Sequence, residues 1–542
     1  MTTHLPQRGC DALLHSLKAA GVRRIFTLSG NHIMPVFDAA LDSGIALIHT
    51  RHEASAVHMA DAHARITGEV GIALVTGGPG HANAVSALYT AQMAEAPIVL
   101  LSGHAPNHQL GQGAFQEMRQ AEMAAPVTKA AWTCAGPHAI VADIVRAIRL
   151  ARSGRPGPVQ LNLPTDALEL AADTPVLKAD AFEPEAMPLT QAIAVDLMQR
   201  LAWARRPLIL AGPACMTRPG RALLAALEAA SGVPVIGMES PRGIADASLG
   251  AFAQMLAQAD CVVLVGKRLD FTLSFGKAPA FPAAATVHQV DADLFEIERS
   301  RCALGERLQI TAVADAFAAL SALTRAASTR ATGAWLADVR AAIAYRPPAW
   351  ETARSSAPGK LHPVQMLKPL QTLLDSHPDA VLVCDGGEIG QWATACLRAP
   401  HRVINGVAGA IGAGLPYALA ARCAQPDAPV VAVMGDGTVG FHIAEFDTAL
   451  RYGLPFVSVV GNDARWNAEY QIQLRDFGAG RLLGCELRPM RYDAVVQAFG
   501  GHGELVTEPE AMGPAVQRAQ ASGLPACLNV MIEGLPAPLI ER

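Results

Sequence analysis

Short apolar runs that stop at glycine-rich corners alternate along this chain with Ala-rich stretches of helical period. The clearest instance is "VVAVMGDGTVGFHIAEFDTALRYGLPFVSVVGND". Residues 430–434 are apolar and rich in β-branched side chains, and Gly435-Asp436-Gly437 stops them, which is the mark of a buried parallel strand. A helix is predicted over 443–452, closed by Gly453, and a second buried strand over 456–460, stopped by Gly461-Asn462-Asp463. In a strand–helix–strand crossover the carboxyl ends of both strands reach one edge of the sheet, where open α/β sheets bind ligands. The pattern therefore brings Asp436 and Asp463 to the same edge.

The rhythm recurs in three blocks. In the first, "IALIHT", "GIALVTGG" and "PIVLLSG" read as strands; in the second, "PLILAG", "VPVIG", "CVVLVG" and "TVHQVD"; in the third, "AVLVCDGG", "VVAVMGDG" and "FVSVVGND". Residues 164–190, rich in Pro and acid, and 325–362, ending in "YRPPAWETARSSAPGKLHP", read as linkers. With 542 residues the chain is too long for one core, so three α/β domains with mostly parallel sheets are expected, at 1–170, 190–330 and 360–542. The Gly-rich corners of the first and third blocks hint at duplicated architecture.

Charge and composition narrow the function. A net charge of −5 with interspersed signs leaves no basic footprint for nucleic acid and no polybasic membrane patch. No apolar run reaches membrane-spanning length, and the opening stretch lacks the basic–apolar–small order of a signal peptide, so a cytoplasmic protein is expected. Ten cysteines, none in a C-x-x-C pair, read as reduced core residues.

Two carboxylates at one edge without a neutralising Lys repel, and a hard divalent cation is their simplest occupant. Gly435 and Gly437 let backbone N–H groups approach a phosphate held by that cation. A plain Asp-Gly turn, with Asp463 capping the next helix, accounts for either corner alone; the two at crossover spacing favour a ligand. Glu53 opens a helix whose inner face is small (Ala54, Ala56, Ala60, Ala64), although a Glu in a first turn is commonly just solvated. His49, His52, His58 and His63 are not spaced to ligate a metal from one helical face. "LVTGGPGHANAVSAL" is a strand and Gly-rich corner without the Gly-Lys-Ser/Thr of a nucleotide loop. "GVAGAIGAGLPYALAA" follows no convincing strand, and reads as a close-packed helix start near a ligand rather than a dinucleotide fingerprint.

In order along the chain, "RHEASAVHMADAHARITG", "TGGPGHANAVSAL", "GAFQEMRQAEMAAPVTK", "RPGPVQLNLP", "GAIGAGLP" and the Gly-Asp-Gly stretch resemble the thiamine diphosphate-dependent enzymes of the acetolactate synthase and benzaldehyde lyase group. The resemblance runs over nearly the whole chain and implies three doubly wound parallel-sheet domains: pyrimidine-binding, central and diphosphate-binding. The family's metal motif runs from Gly-Asp-Gly about 27 positions to an Asn, and here Asp463 stands at that distance from Asp436. By resemblance, Asp436, Asp463 and the Arg465 carbonyl bind Mg2+, and Gly387, Glu388, Gly435, Gly437 and Thr438 lie against the diphosphate. Glu53 then shares a proton with the pyrimidine ring nitrogen, a role for which a carboxyl in an apolar pocket is suited. Pro79, Gly80 and Asn83 line the pyrimidine side, Gly409 offers its carbonyl to the exocyclic amine, and Ile411 bends the cofactor. Gln116 and His32 face the substrate, and Trp466, Asn467 and Tyr470 build the pocket wall. In the family Glu53 and the diphosphate site belong to different subunits, which implies a homodimer or homotetramer.

Four positions depart from the family pattern. Asp463 replaces an Asn and adds charge beside the diphosphate, Arg119 stands where many relatives carry an acid, and Ile411 replaces a Met. "GKRLDFTLSFG" differs from the FAD-binding type, so FAD is not expected; it is closer to oxalyl-CoA decarboxylases and 2-hydroxyacyl-CoA lyases. "GNHIMPVFDAA", "IHTRHEA" and "IAEFDTALRYGLP" are most similar to benzaldehyde lyase. The leading expectation is a carboligase or lyase acting on 2-oxo acids or 2-hydroxy ketones, with CoA-thioester lysis or simple decarboxylation as the alternative. A cofactor-binding paralogue without activity is a third reading, against which Glu53 and both acids argue.

Overall fold

The computed structural model describes residues 7–173, 177–328 and 333–542. The head of the opening stretch and parts of both predicted linkers lie outside the described residues. The chain divides into two compact units, which meet in sequence at Ala186 and Met187. The first holds β1 (Arg24–Thr27), β2 (Ala46–His49), β3 (Gly71–Val75), β4 (Ile98–His104), β5 (Ala130–Thr133) and β6 (Val159–Pro164). They form one parallel sheet in the order β2-β1-β3-β4-β6-β5.

The second unit carries two further parallel sheets. Strands β7 (Pro207–Ala211), β8 (Val235–Gly237), β9 (Cys261–Val265), β10 (Thr286–Asp291) and β11 (Leu308–Val313) run in the order β11-β10-β9-β7-β8. Strands β12 (Val381–Cys384), β13 (His401–Ile404), β14 (Val430–Gly435), β15 (Val457–Asn462), β16 (His502–Val506) and β17 (Ala526–Met531) run in the order β13-β12-β14-β15-β17-β16. That is the strand order of the first sheet repeated, so the shared rhythm of the outer blocks reflects a shared topology. The fold is α/β throughout.

Continuous apolar runs are needed because helices cover both faces of each sheet. In β9, Cys261, Val263 and Val265 enter one core while Val262 and Leu264 enter another on the opposite face. A buried ion pair, Arg402 to Glu239 at 2.8 Å, joins β13 to the loop after β8. The ten cysteines are free, eight of them buried.

Three local readings are corrected. The helix expected over 443–452 is the shorter Glu445–Arg451, preceded by a separate turn of helix, Asp436–Val439. The predicted linker 325–362 contains the helix Ala334–Ala344, whose Val339 is fully buried in the central core; apolar spacing at Trp335, Val339 and Ala342 outweighs the Pro-rich stretch behind it. "GVAGAIGAGLP" does follow a strand, β13, whose His401 and Arg402 masked it.

Candidate functional site

In the first sheet the strand order reverses direction between β1 and β3, and the crevice beyond their carboxyl ends gathers polar groups. Glu53 is the first residue of the helix Glu53–Thr67, entered through His52, whose ring accepts the Ala54 N–H. Ala56, Ala60 and Ala64 are fully buried, so the small face seats that helix close to the sheet. The Glu53 carboxylate is 9% exposed and accepts from Asn83 Nδ2 at 3.1 Å. Pro79 and Gly80 open the facing helix Pro79–Met93; a Cβ on Gly80 would lie 3.3 Å from Glu53 Oε1 and 2.8 Å from Thr76 Cγ2, so only glycine allows this approach. His32 is buried after β1, with Nδ1 3.2 Å from Thr76 Oγ1. Gln116 adopts φ +57° against Gly78. Glu53, Asn83, Pro79, Gly80, His32 and Gln116 thus share one corner.

The third sheet repeats the arrangement between β12 and β14. Asp436 follows β14 and is 2% exposed, and its Oδ2 has no hydrogen-bond partner among the described residues. Asp463 follows β15, and the pairing of Gly435 with Gly461 brings the two carboxyls together. Burial pushes both pKa values up, to about 7 for Asp436, where repulsion from Asp463 adds to it, and to about 6 for Asp463, which Arg465 and the hydrogen bond to Asp436 partly relieve. Asp463 Oδ1 also accepts the Arg465 N–H at 3.1 Å. Neighbouring Asn462 is committed elsewhere, donating to Met490 O and Asn529 Oδ1 and accepting from Ala464 N, so the acidic partner of Asp436 is Asp463.

One cavity is lined by Gly387, Glu388, Ile411, Gly435, Asp436, Gly437, Thr438, Asp463, Arg465, Trp466 and Asn467. Of the residues predicted for this corner, Gly409 and Tyr470 lie off it. Gly409 takes φ +67° in the loop before the helix Gly414–Ala424, and Tyr470 lies under the Arg465 guanidinium, 4.1 Å from its ring centre. Gly437 abuts the Trp466 ring, where any Cβ would meet carbon at 2.6 Å. Asn467 donates to Leu535 O, and Glu388 accepts from Ala537 N and pairs with Arg242 at 3.5 Å.

Comparison with known proteins decides the family. The thiamine pyrophosphate enzyme models match in order: the N-terminal TPP binding domain at residues 7–123, the central domain at 195–323 and the C-terminal TPP binding domain at 385–530. A probable acetolactate synthase from Mycobacterium bovis is 34% identical over 95% of this chain and 94% of its own. The 2-hydroxyacyl-CoA lyase 2 proteins of Danio rerio and Homo sapiens are each 30% identical over 97% of this chain, covering 92% and 90% of theirs. The chain belongs to the thiamine pyrophosphate enzyme family. It is a thiamine pyrophosphate-dependent enzyme of the transferase or lyase type.

The second corner fits what a thiamine pyrophosphate enzyme must hold. Its partnerless buried oxygen and paired carboxyls match a divalent cation, and Gly387, Gly435 and Gly437 line the cavity beside them, where a diphosphate can come close to the backbone. Among the described residues no group of three His, Cys, Asp or Glu is placed to hold a metal ion, so a cation here would need further oxygens from carbonyls or the ligand. His49, His52 and His63 instead meet Ser29, Ala54 N and Glu69. Among the described residues no helix is long and apolar enough to cross a membrane.

Three residues of this thiamine pyrophosphate enzyme escaped the sequence reading. Asp385, buried after β12, accepts from Gly386 N, Gly412 N and Gly414 N, clamping the loop that carries Gly409 and Ile411. Burial pushes its pKa up to about 6 against the pull of those three amides. Tyr492 donates to the Asp436 carbonyl, and Gln120 accepts from Gly78 N while donating to Gly103 O. The signal for Asp385 was present, an acid between a strand and two glycines as at Asp436.

Proposed function

We propose that this enzyme makes or breaks a carbon–carbon bond next to a carbonyl in 2-oxo acids or 2-hydroxy ketones, using thiamine diphosphate and Mg2+. The observation that carries the reading is the buried Asp436–Asp463 pair, with an oxygen left open beside a glycine cradle. Asp436, Asp463 and the Arg465 carbonyl hold the cation, and Gly387, Glu388, Gly435, Gly437 and Thr438 lie against the diphosphate. When bound, the cofactor supplies a nucleophilic carbon and an electron sink. Glu53 holds and exchanges a proton with the pyrimidine ring nitrogen, and Pro79, Gly80 and Asn83 frame that ring. Gly409 receives the exocyclic amine, Ile411 sets the bend between the rings, and Gln116, His32, Trp466, Asn467 and Tyr470 bound the substrate space.

The enzyme works in the cytoplasm as a homodimer or homotetramer, on a three-domain chain divided at 1–170, 190–330 and 360–542, with Glu53 of one copy serving the diphosphate corner of another. FAD takes no part. The relatives support two substrate classes, since acetolactate synthase and 2-hydroxyacyl-CoA lyase names occur at similar identity; CoA-thioester lysis is the second reading. The test is a panel of pyruvate, benzoin, oxalyl-CoA and a 2-hydroxyacyl-CoA on protein reconstituted without flavin, following carbon dioxide, aldehyde and acyloin. Turnover of pyruvate or benzoin supports the first reading, and aldehyde released only from the 2-hydroxyacyl-CoA supports the second. Cofactor binding without turnover of any of them supports the silent paralogue.

A further inference from the structure

The hydroxyl of Thr76 sits at the centre of the first corner. The residue follows β3 and is 9% exposed; its methyl packs toward Gly80, beside Glu53, and its hydroxyl faces His32. Thr76 Oγ1 is 3.4 Å from the His32 backbone N–H and 3.2 Å from the His32 ring at Nδ1. An amide can only donate, so Oγ1 accepts there, and its own single proton is free to point at Nδ1. The Phe115 backbone carbonyl also acts on the ring, by a hydrogen bond that favours a protonated nitrogen. A carbonyl only accepts, so the ring must bring it a proton, and with Nδ1 engaged by Thr76 that proton is on Nε2. The Phe115 ring also stacks on His32, with centroids 6.0 Å apart. Directly after Phe115 comes Gln116 at φ +57°, a conformation an L side chain holds only when its surroundings impose it.

We propose that Thr76 is a positioning residue that fixes His32 as the neutral tautomer with the proton on Nε2, and that His32 in this form anchors the Phe115–Gln116 corner and transfers no proton. Burial lowers the His32 pKa, and nearby His104, the titratable neighbour acting on it, lowers it further. Both act in the sense of keeping the ring uncharged. Gln116 is then the polar group offered to substrate, and His32 sets where it stands. The inference rests on the proposed function for its kinetic consequence only.

The test combines nitrogen-15 spectra of histidine-labelled holoenzyme with kinetics, the His32 signal being identified by its loss in His32→Gln. Wild type is expected to show an unprotonated Nδ1 and a protonated Nε2 at pH 8. Thr76→Val keeps the shape and removes the hydroxyl; it is expected to give mixed tautomers and a kcat lower by on the order of tenfold to a hundredfold, with cofactor binding kept. Thr76→Ser restores both. A proton on Nδ1 of neutral wild-type His32, or Thr76→Val behaving as wild type, overturns the proposal. If the tautomers are as expected and no carbonyl substrate is turned over, the proposed function fails while the positioning of His32 stands.

Discussion

In the proposed function the chemistry turns on Glu53 and Asp463, and each has a substitution that changes one property. Glu53→Gln keeps the shape and the contact with Asn83 but cannot share a proton. It is expected to bind thiamine diphosphate normally while proton exchange at the cofactor's reactive carbon slows by orders of magnitude, measured by deuterium uptake; an unchanged rate removes Glu53 from that role. Asp463→Asn keeps an oxygen donor and removes one charge, so it is expected to need more Mg2+ for half-saturation with cofactor. Asp463→Ala is expected to lose cofactor at ordinary Mg2+, since Asn462 is already engaged with Met490 and Asn529. A titration of cofactor binding against Mg2+ separates the three proteins. The raised pKa values of Asp436 and Asp463 also fix a pH dependence. A carboxyl whose folded pKa lies above its unfolded value contributes stability that is fully present below the unfolded pKa and is lost as pH rises through the folded one. Without divalent cation, the melting temperature is therefore expected to fall between about pH 4 and pH 7, with Asp385 adding in the same sense. Added Mg2+ is expected to reverse the fall, most at the higher pH, because the cation displaces the shared proton.

Elements carry the corners, and at this scale the loop before the helix Gly414–Ala424 depends on a single buried carboxylate. Asp385→Asn turns part of an acceptor toward three N–H donors, and is expected to cost about 1–3 kcal/mol in urea unfolding. Faster amide exchange at Gly412 and Gly414 should accompany it; unchanged protection there would show that the loop holds itself. The same scale explains which parts of the fold were legible. Strands buried on both faces, such as β3, β9 and β14, are unbroken apolar runs and were read directly. The edge strands β5, β11 and β16 are partly exposed and carry polar residues, and β13, though mostly buried, opens with His401 and Arg402, so no apolar run announced them. Strand β6 is fully buried, yet Gln160 and Asn162 break its run because they belong to a polar network reaching Gln120 and Thr133. In the candidate site, Asp436 and Asp463 stood out because acids beside glycines at strand ends are chemically conspicuous, whereas Glu53 stood out only through the family resemblance of the stretch around it. Thr76 did not, because a threonine after a strand is ordinary in sequence and its place between His32 and Gly80 arises only when β1 and β3 lie side by side.

At the scale of the molecule, the first and third sheets share one strand order and place their polar corners at the same point of it, between the first and third strands of each. One corner offers a carboxylate for proton exchange; the other offers paired acids and glycines for a diphosphate. The proposed function requires corners from two copies of the chain to serve one cofactor, and mixing two defective chains tests this most directly. Glu53→Gln and Asp463→Ala are each expected to be inactive alone in proton exchange at the cofactor's reactive carbon, a readout that needs no substrate. Co-assembled from equal amounts, half the dimers hold one of each, and each of these has one intact pair of corners, so about a quarter of wild-type exchange is expected. Exchange no greater in the mixture than in either protein alone would contradict the shared site.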